Sequence, residues 1–493
     1  MLVMSSLPQT EPIRKSRRAD VAACIVLLLA VIAVRAPWIG NANADVDEQL
    51  YSLIGNAMLD GKLPFVDLWD RKPFGLFALF ALAHAVGGPA AASYQVLAGL
   101  FTLAGAVMMY ILSRALVDRV AASGAGLLYV VLMSTYGSHS GQSEAFYVPM
   151  MLAMALLVRD PAHPRAFRRA LAAMLIGGLA LQVKYTVLPQ CIFFGMWALW
   201  GQYKLGAPVS KLWRPGIAFA ALGLLPTIAV GAFYTGIGHF DAFLFANFTS
   251  FFDRLPSPSG RLNIDHTAFV SPLVVLIVLG GYAAIRLSPP RERQTYIFIL
   301  FWLVASLATV FLPATVYRYY YAALVPNAIL VALPLIDCRT KVRWIPLAIV
   351  LAAAASTLFL PQQYAQSQEQ SATLNRLSRA IAPNVDNKTE CLWVFDGPTS
   401  LYTLSGSCLP TRYIYPDHLN NALERNALGV EQTEEVARIL ANRPSIIVTA
   451  DTKFTIQNED AGHLVERAVT DHYRELTNGV LHGRTIRVWK RID

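Results

Sequence analysis

Long stretches without a single Asp, Glu, Lys or Arg punctuate the chain: 73–113, 120–143, 185–203, 215–240, 267–285, 296–317 and 319–336. A membrane-spanning helix needs roughly 17–25 predominantly apolar residues. In lipid, its backbone polar groups must also be satisfied within the segment. These runs therefore predict helices that cross a bilayer. Shorter uncharged runs at 21–34, 145–158, 170–183 and 345–360 reach spanning length with flanking side chains that snorkel. Charged residues make up 15% of the chain, against about 25% in ordinary soluble domains. That excludes a disordered chain, a nucleic-acid-binding tail protein and a simple soluble enzyme.

The basic residues orient the chain. Residues 1–19 carry Arg14, Lys15, Arg17 and Arg18 and are placed in the cytoplasm as a short tail. Threading eleven spans from there puts nineteen Lys and Arg in the inner segments. Eight fall outside before the polar tail: Arg35, Lys62, Arg71, Lys72, Lys184, Arg254, Arg261 and Arg318. The net charge of +9 thus reflects topology and does not call for nucleic acid. The segment 74–88, bounded by Pro73 and Gly87-Gly88-Pro89, would invert the downstream topology if counted as a span. It is expected to be a re-entrant or interfacial helix. Asn41-Ala42-Asn43-Ala44 mimics a signal-peptidase site, but Arg35 and the many following spans argue against cleavage.

Residues 20–360 form the expected membrane module, and 361–493 a small α/β domain outside the membrane. Within that tail, Cys391–Asp396, Ser445–Ala450 and Arg484–Lys490 read as strands, and Gln432–Ala441 and Asp460–Tyr473 as helices. Cys24, Cys191 and Cys338 lie in or beside apolar runs and are expected to be inert. For Cys391 and Cys408, a disulfide, which an oxidising compartment permits, and two free thiols are equal alternatives.

The first outer loop, about 40–73, carries the densest chemistry. Asp45-Val46-Asp47-Glu48 places three carboxylates at the end of the first span. Leu50, Leu53, Ile54, Ala57 and Met58 then share one helical face, and Gly61 can close the helix. A capping box would employ Asp45 and Glu48 and leave Asp47 without a role. A carboxylate at the lipid boundary is partly desolvated, which raises its value as a base. Arg71-Lys72-Pro73 ends the loop; two cations there suit lipid headgroups or the phosphate of a lipid-linked substrate. Glu144 follows Ser138-His139-Ser140-Gly141-Gln142-Ser143 and complements a helix N-terminus or binds an acceptor or cation. Lys184 interrupts an apolar stretch, which marks a functional position or a snorkelling side chain. Tyr317-Arg318-Tyr319-Tyr320-Tyr321 suits phosphate or sugar binding, or an interfacial aromatic belt. One threading brings Asp47, Lys72, Glu144, Lys184 and Arg318 to the same membrane face. An acidic centre ringed by cations suits group transfer from a lipid phosphate.

At these residues the sequence resembles the GT-C glycosyltransferases. More narrowly, it resembles the bacterial branch related to protein O-mannosyltransferases and the aminoarabinose transferase of lipid A. The resemblance runs over about 20–335 and rests on the order Asp-Glu, Lys-Pro, Glu, Lys and Arg-Tyr…Pro. It implies a polytopic α-helical fold with about eleven spans and a variable outer domain. It implies Asp47 as general base, Glu48 as its acidic partner and Glu144 as a second acidic site residue. Lys72, with Arg71, Lys184 and Arg318, would hold the donor phosphate, and Asp45, Tyr319 and Tyr320 would contact the sugar or acceptor. Where the family often has Lys-Pro-Pro, Phe74 replaces the second proline.

The expected activity is transfer of a hexosyl or pentosyl group from a polyprenyl-phosphate donor to a hydroxyl on a glycan, lipid or protein, with inversion, at the outer face of the plasma (inner) membrane. No cofactor is required, and a divalent cation at Glu144 is allowed. The absence of a Gly-rich phosphate loop fits a lipid rather than a nucleotide donor. The alternatives are a transporter or flippase for a lipid-linked or anionic substrate, and a structural or sensing subunit. The first of these often shows matching halves, and none is visible here.

Overall fold

The computed structural model describes residues 13–255, 264–313, 315–358 and 361–492; Arg261 lies outside the described residues. The segments expected to span are helical over most of their described residues. In chain order the first helices are α1 (Ile13–Arg35), α2 (Val46–Leu59), α3 (Phe74–Gly87), α4 (Ala91–Ser113), α5 (Arg119–Met133) and α6 (Ser143–Val158). Helices Ala166–Leu181, Leu188–Lys204, Trp213–Gly236, Ile264–Arg286, Arg293–Phe311, Val325–Ile336 and Trp344–Leu358 follow. Seven of the described helical segments are long and apolar enough to cross a membrane. Their outward faces carry rows of exposed Leu, Ile, Val and Phe, such as Leu224, Leu225 and Ile228. Soluble monomers rarely leave so much apolar surface uncovered. The chain is a multi-pass membrane protein.

The first outer loop folds as its residues dictate. Asp45 caps α2, its Oδ1 accepting from the Asp47 amide at 3.0 Å. Leu50, Leu53 and Ile54 are buried on one face, and Gly61 follows the helix at φ +80°, where a side chain would be strained. The capping box is corrected in one half. Glu48 does not reach back to the helix start, and its carboxylate turns instead into the 138–142 loop. Helix α3 has 14 residues, about 21 Å at 1.5 Å per residue, and is shorter than the hydrocarbon core. It lies packed against α2 so closely that a Cβ on Gly55 would come within 2.7 Å of the Phe80 Cβ.

The tail holds a four-stranded sheet of β1 (Leu392–Val394), β2 (Ile446–Ala450), β3 (Tyr473–Leu481) and β4 (Arg484–Arg491) in the order β1-β2-β4-β3. β1 runs parallel to β2, and β4 is antiparallel to both of its neighbours, with Ile447 opposite Trp489 and Val448 opposite Val488. Three strands and both helices lie near the places the sequence indicates. Strand β3 has no such signal, because its partly exposed residues show no clean alternation. Alternation does sort β1 and β2. Leu392, Val394, Ile446 and Val448 join the core shared with helix Pro361–Ile381, while Trp393, Phe395 and Ile447 face Val436, Ile439 and Val465 of the two outer helices. Cys391 and Cys408 are joined by a disulfide.

The tail and the first loop share a core. Trp69, from that loop, is 1% exposed and packs with Trp393, Tyr413 and Leu428. Its amide donates to the Arg412 carbonyl at 3.0 Å. Asn41 Nδ2 donates to Ser367 Oγ at 2.9 Å, so the segment resembling a cleavage site is built into the fold.

Candidate active site

Asp47, the second residue of α2, stands at a junction. Its Oδ2 accepts from Tyr51 OH at 3.2 Å, Tyr319 OH at 3.4 Å and Gln142 Nε2 at 3.3 Å, and lies 3.7 Å from Lys72 Nζ. Its Oδ1 accepts from Tyr415 OH at 3.2 Å. Lys72 Nζ also donates to Tyr51 OH at 2.8 Å. Burial works against the Lys72 ammonium, but the carboxylates of Asp47 and Asp70 outweigh it and hold its pKa above the ordinary value. Asp70 in turn accepts from the Lys72 amide at 2.7 Å, which fixes the turn before Pro73.

Exposure separates the carboxylates Asp47, Glu48 and Glu144. The Asp47 side chain keeps 22% of its surface exposed and Lys72 keeps 25%, whereas Glu48 and Glu144 keep none. Glu48 is a tether: Ser140 Oγ (2.9 Å), Tyr94 OH (3.1 Å) and the Gly141 amide all donate to it. Arg35 meets the same loop through the Ser138 and Ser140 carbonyls at 3.0 and 2.6 Å. Burial pushes the Glu48 pKa up. Asp45 is also pushed up, first by burial and then by the charges of Asp47 and Glu48.

Glu144 forms a buried ion pair with Lys184 and accepts from Ser143 Oγ at 2.9 Å. The Lys184 ammonium sits 3.9 Å over the Tyr320 ring and 5.2 Å from that of Tyr319, linking this pair to Asp47 through the tyrosine run. Asp47, Lys72, Glu144, Lys184, Tyr319 and Tyr320 therefore form one connected group where α1 and helix Ala166–Leu181 end and α6 and the Arg318–Leu324 turn begin.

Two expected cations lie elsewhere. Arg71 pairs with Glu424 of the tail, which also holds Arg254 at 2.6 Å. Arg318 is exposed, 5.5 Å over Phe269, and no described hydrogen bond or ion pair joins it to the group. Among the described residues no set of three His, Cys, Asp or Glu is placed to hold a metal ion, and Glu144 already faces an ammonium. Sequence reasoning missed Tyr415, Glu424, Tyr51 and Gln142. Tyr51 falls on the loop helix already recognised and was legible as a neighbour one turn after Asp47. The tail residues carried no local signal.

No family model matches the chain, and no curated protein matches it. Solved structures do. The crystal structure of ArnT from Cupriavidus metallidurans bound to undecaprenyl phosphate aligns with a TM-score of 0.64 at 15% identity, covering 96% of this chain and 98% of that one. The apo state of the same protein aligns at 0.64 and 13% identity, over 95% and 98%. The oligosaccharyltransferase of Archaeoglobus fulgidus in its apo form aligns at 0.49 and 13%, over 87% and 69%. From its membrane helices through its tail, the chain has the fold seen in ArnT.

Proposed function

We propose that the chain is a membrane glycosyltransferase that moves a sugar from a polyprenyl-phosphate carrier to a hydroxyl acceptor. The observation that carries the reading is the Asp47–Lys72 pair: a partly exposed carboxylate 3.7 Å from a partly exposed ammonium, at the ends of apolar helices. The undecaprenyl phosphate bound by ArnT, a protein of the same fold, supports a lipid phosphate as the donor's handle.

In the proposed reaction the carrier phosphate lies against Lys72. Asp47 takes the proton of the acceptor hydroxyl, whose oxygen bonds to the anomeric carbon from the side opposite the phosphate. The bond from that carbon to the phosphate oxygen breaks, the configuration inverts, and Lys72 stabilises the charge left on the phosphate. Glu144 positions Lys184, and Lys184 supports the tyrosines that surround Asp47. Glu48 and Asp45 hold the start of α2 and so aim Asp47. In this reading residues 1–19 are cytoplasmic, 20–360 are the catalytic module in the plasma membrane, and 361–493 lie outside, where an oxidising compartment would permit the Cys391–Cys408 bond.

The test uses the full chain in lipid nanodiscs with an undecaprenyl-phosphate sugar and an envelope extract from a deletion strain. Asp47→Asn is expected to lower transfer by about 10²–10⁴-fold while the fold is retained. Undiminished transfer would remove Asp47 from the role of base. The deletion strain is expected to accumulate the lipid-linked sugar.

A further inference from the structure

We propose that the cavity enclosed between the tail and the start of α2 is the acceptor pocket, and that it takes a pyranose ring of a glycan through Asp417 and Phe454. This rests on the reading of Asp47 as base. The cavity has a volume of about 190 Å³, which is on the scale of one sugar ring.

Its polar lining is divided. Asp396 is paired, its Oδ2 accepting from Arg484 at 2.7 Å and from Gln457 at 3.0 Å. Asp417 also lines the cavity, yet its carboxylate has no hydrogen bond or ion pair among the described residues. Burial and the charges of Glu424 and Asp47 hold its pKa up at about 7. A second wall group is also short of a partner. Asn43 is 2% exposed, and its Oδ1 accepts from Gln49 at 3.1 Å, but its Nδ2 finds no acceptor. Phe454 adds an exposed aromatic face with the Arg484 guanidinium 5.5 Å above it. An aromatic plane beside an unsatisfied carboxylate and amide matches a ring with apolar C–H faces and hydroxyls at its rim.

The cavity also adjoins the base on the correct side. Tyr415 lines it and donates to Asp47 Oδ1, while Oδ2 faces Lys72, Tyr51 and Tyr319. Tyr415 thus stands between the cavity and one oxygen of Asp47, whose other oxygen faces the cation. An acceptor hydroxyl entering from the cavity displaces the Tyr415 hydrogen bond and gives its proton to Oδ1. Its oxygen bonds to the anomeric carbon as the carbon–phosphate-oxygen bond breaks on the Lys72 side.

The test is saturation-transfer NMR on the full chain in nanodiscs with methyl β-D-glucopyranoside, methyl α-D-mannopyranoside and methyl β-L-arabinopyranoside, beside a Ser/Thr peptide. At least one pyranoside is expected to receive saturation from the wild type, and to lose it at least fivefold in both D417N and F454A. No saturation of any pyranoside, a signal unchanged in both variants, or saturation of the peptide alone would overturn the proposal. Undecaprenyl phosphate binding, followed by native mass spectrometry, is expected to be equal in wild type and D417N. Its absence from the wild type would count against the lipid-phosphate donor and leave the pocket assignment standing on the NMR result.

Discussion

Replacing Asp417 by Asn is expected to stabilise the tail, and the gain depends on pH. The native carboxyl keeps its proton up to about pH 7, whereas an unperturbed one releases it near 3.8. Between these values the folded state binds more protons than the unfolded one, so wild-type stability falls as pH rises from about 4 to 7 and then levels off. Each pKa unit is worth about 1.4 kcal/mol, which puts the full penalty near ~4 kcal/mol. Part of the Asp417 side chain remains in water, and halving the figure for screening leaves about 2 kcal/mol. From pH 5 to 8 the advantage of D417N should therefore grow by about 1.4 kcal/mol, or roughly 3–6 °C for a unit of this size. Trp69 and Trp393 lie in the tail core, so intrinsic fluorescence during a thermal ramp reads the transition. An advantage that does not change with pH, or a variant less stable than wild type throughout, would refute the argument that Asp417 lacks a compensating partner.

Removing one member of the Glu144–Lys184 pair should be worse than removing both: Glu144→Gln is expected to cost about 3–5 kcal/mol, read as a fall in unfolding temperature, with the Glu144→Gln/Lys184→Met double variant recovering much of it. Cys391→Ser opens a bond that spans 17 residues and should lower tail stability by about 3 kcal/mol, measured by thermal ramp with and without reductant. Lys72→Ala should weaken undecaprenyl phosphate binding at least tenfold in native mass spectrometry, with Lys72→Arg retaining part of it.

The membrane fold was legible because absent charge is a strong signal: runs such as 215–240 and 267–285 are too long and too apolar to sit comfortably anywhere but in lipid. The start of the site was legible for a related reason, since Asp45, Asp47 and Glu48 interrupt an apolar context where charge is costly. Their division of labour was not. Glu48 and Asp47 are adjacent and chemically alike, and only the position of Ser140 and Gly141 decides that one is sealed and the other open. Arg71 and Arg318 read as phosphate ligands from their aromatic and basic neighbours, but Glu424 claims the first and Phe269 lies under the second. Tyr415 reaches Asp47 across 368 positions, and Asp417 and Phe454 sit in polar sequence where such residues are ordinary. No local pattern encodes a contact of that span.

The burial of Trp69 among tail residues has a consequence for how the molecule comes into being. The loop bearing Asp47 and Lys72 is synthesised more than three hundred residues before β2, yet the hydrophobic seat for its tryptophan and the hydroxyl that meets its aspartate both belong to the tail. A nascent chain halted before residue 392 has neither. The machinery therefore stays unfinished until the tail has been made and has closed over the loop.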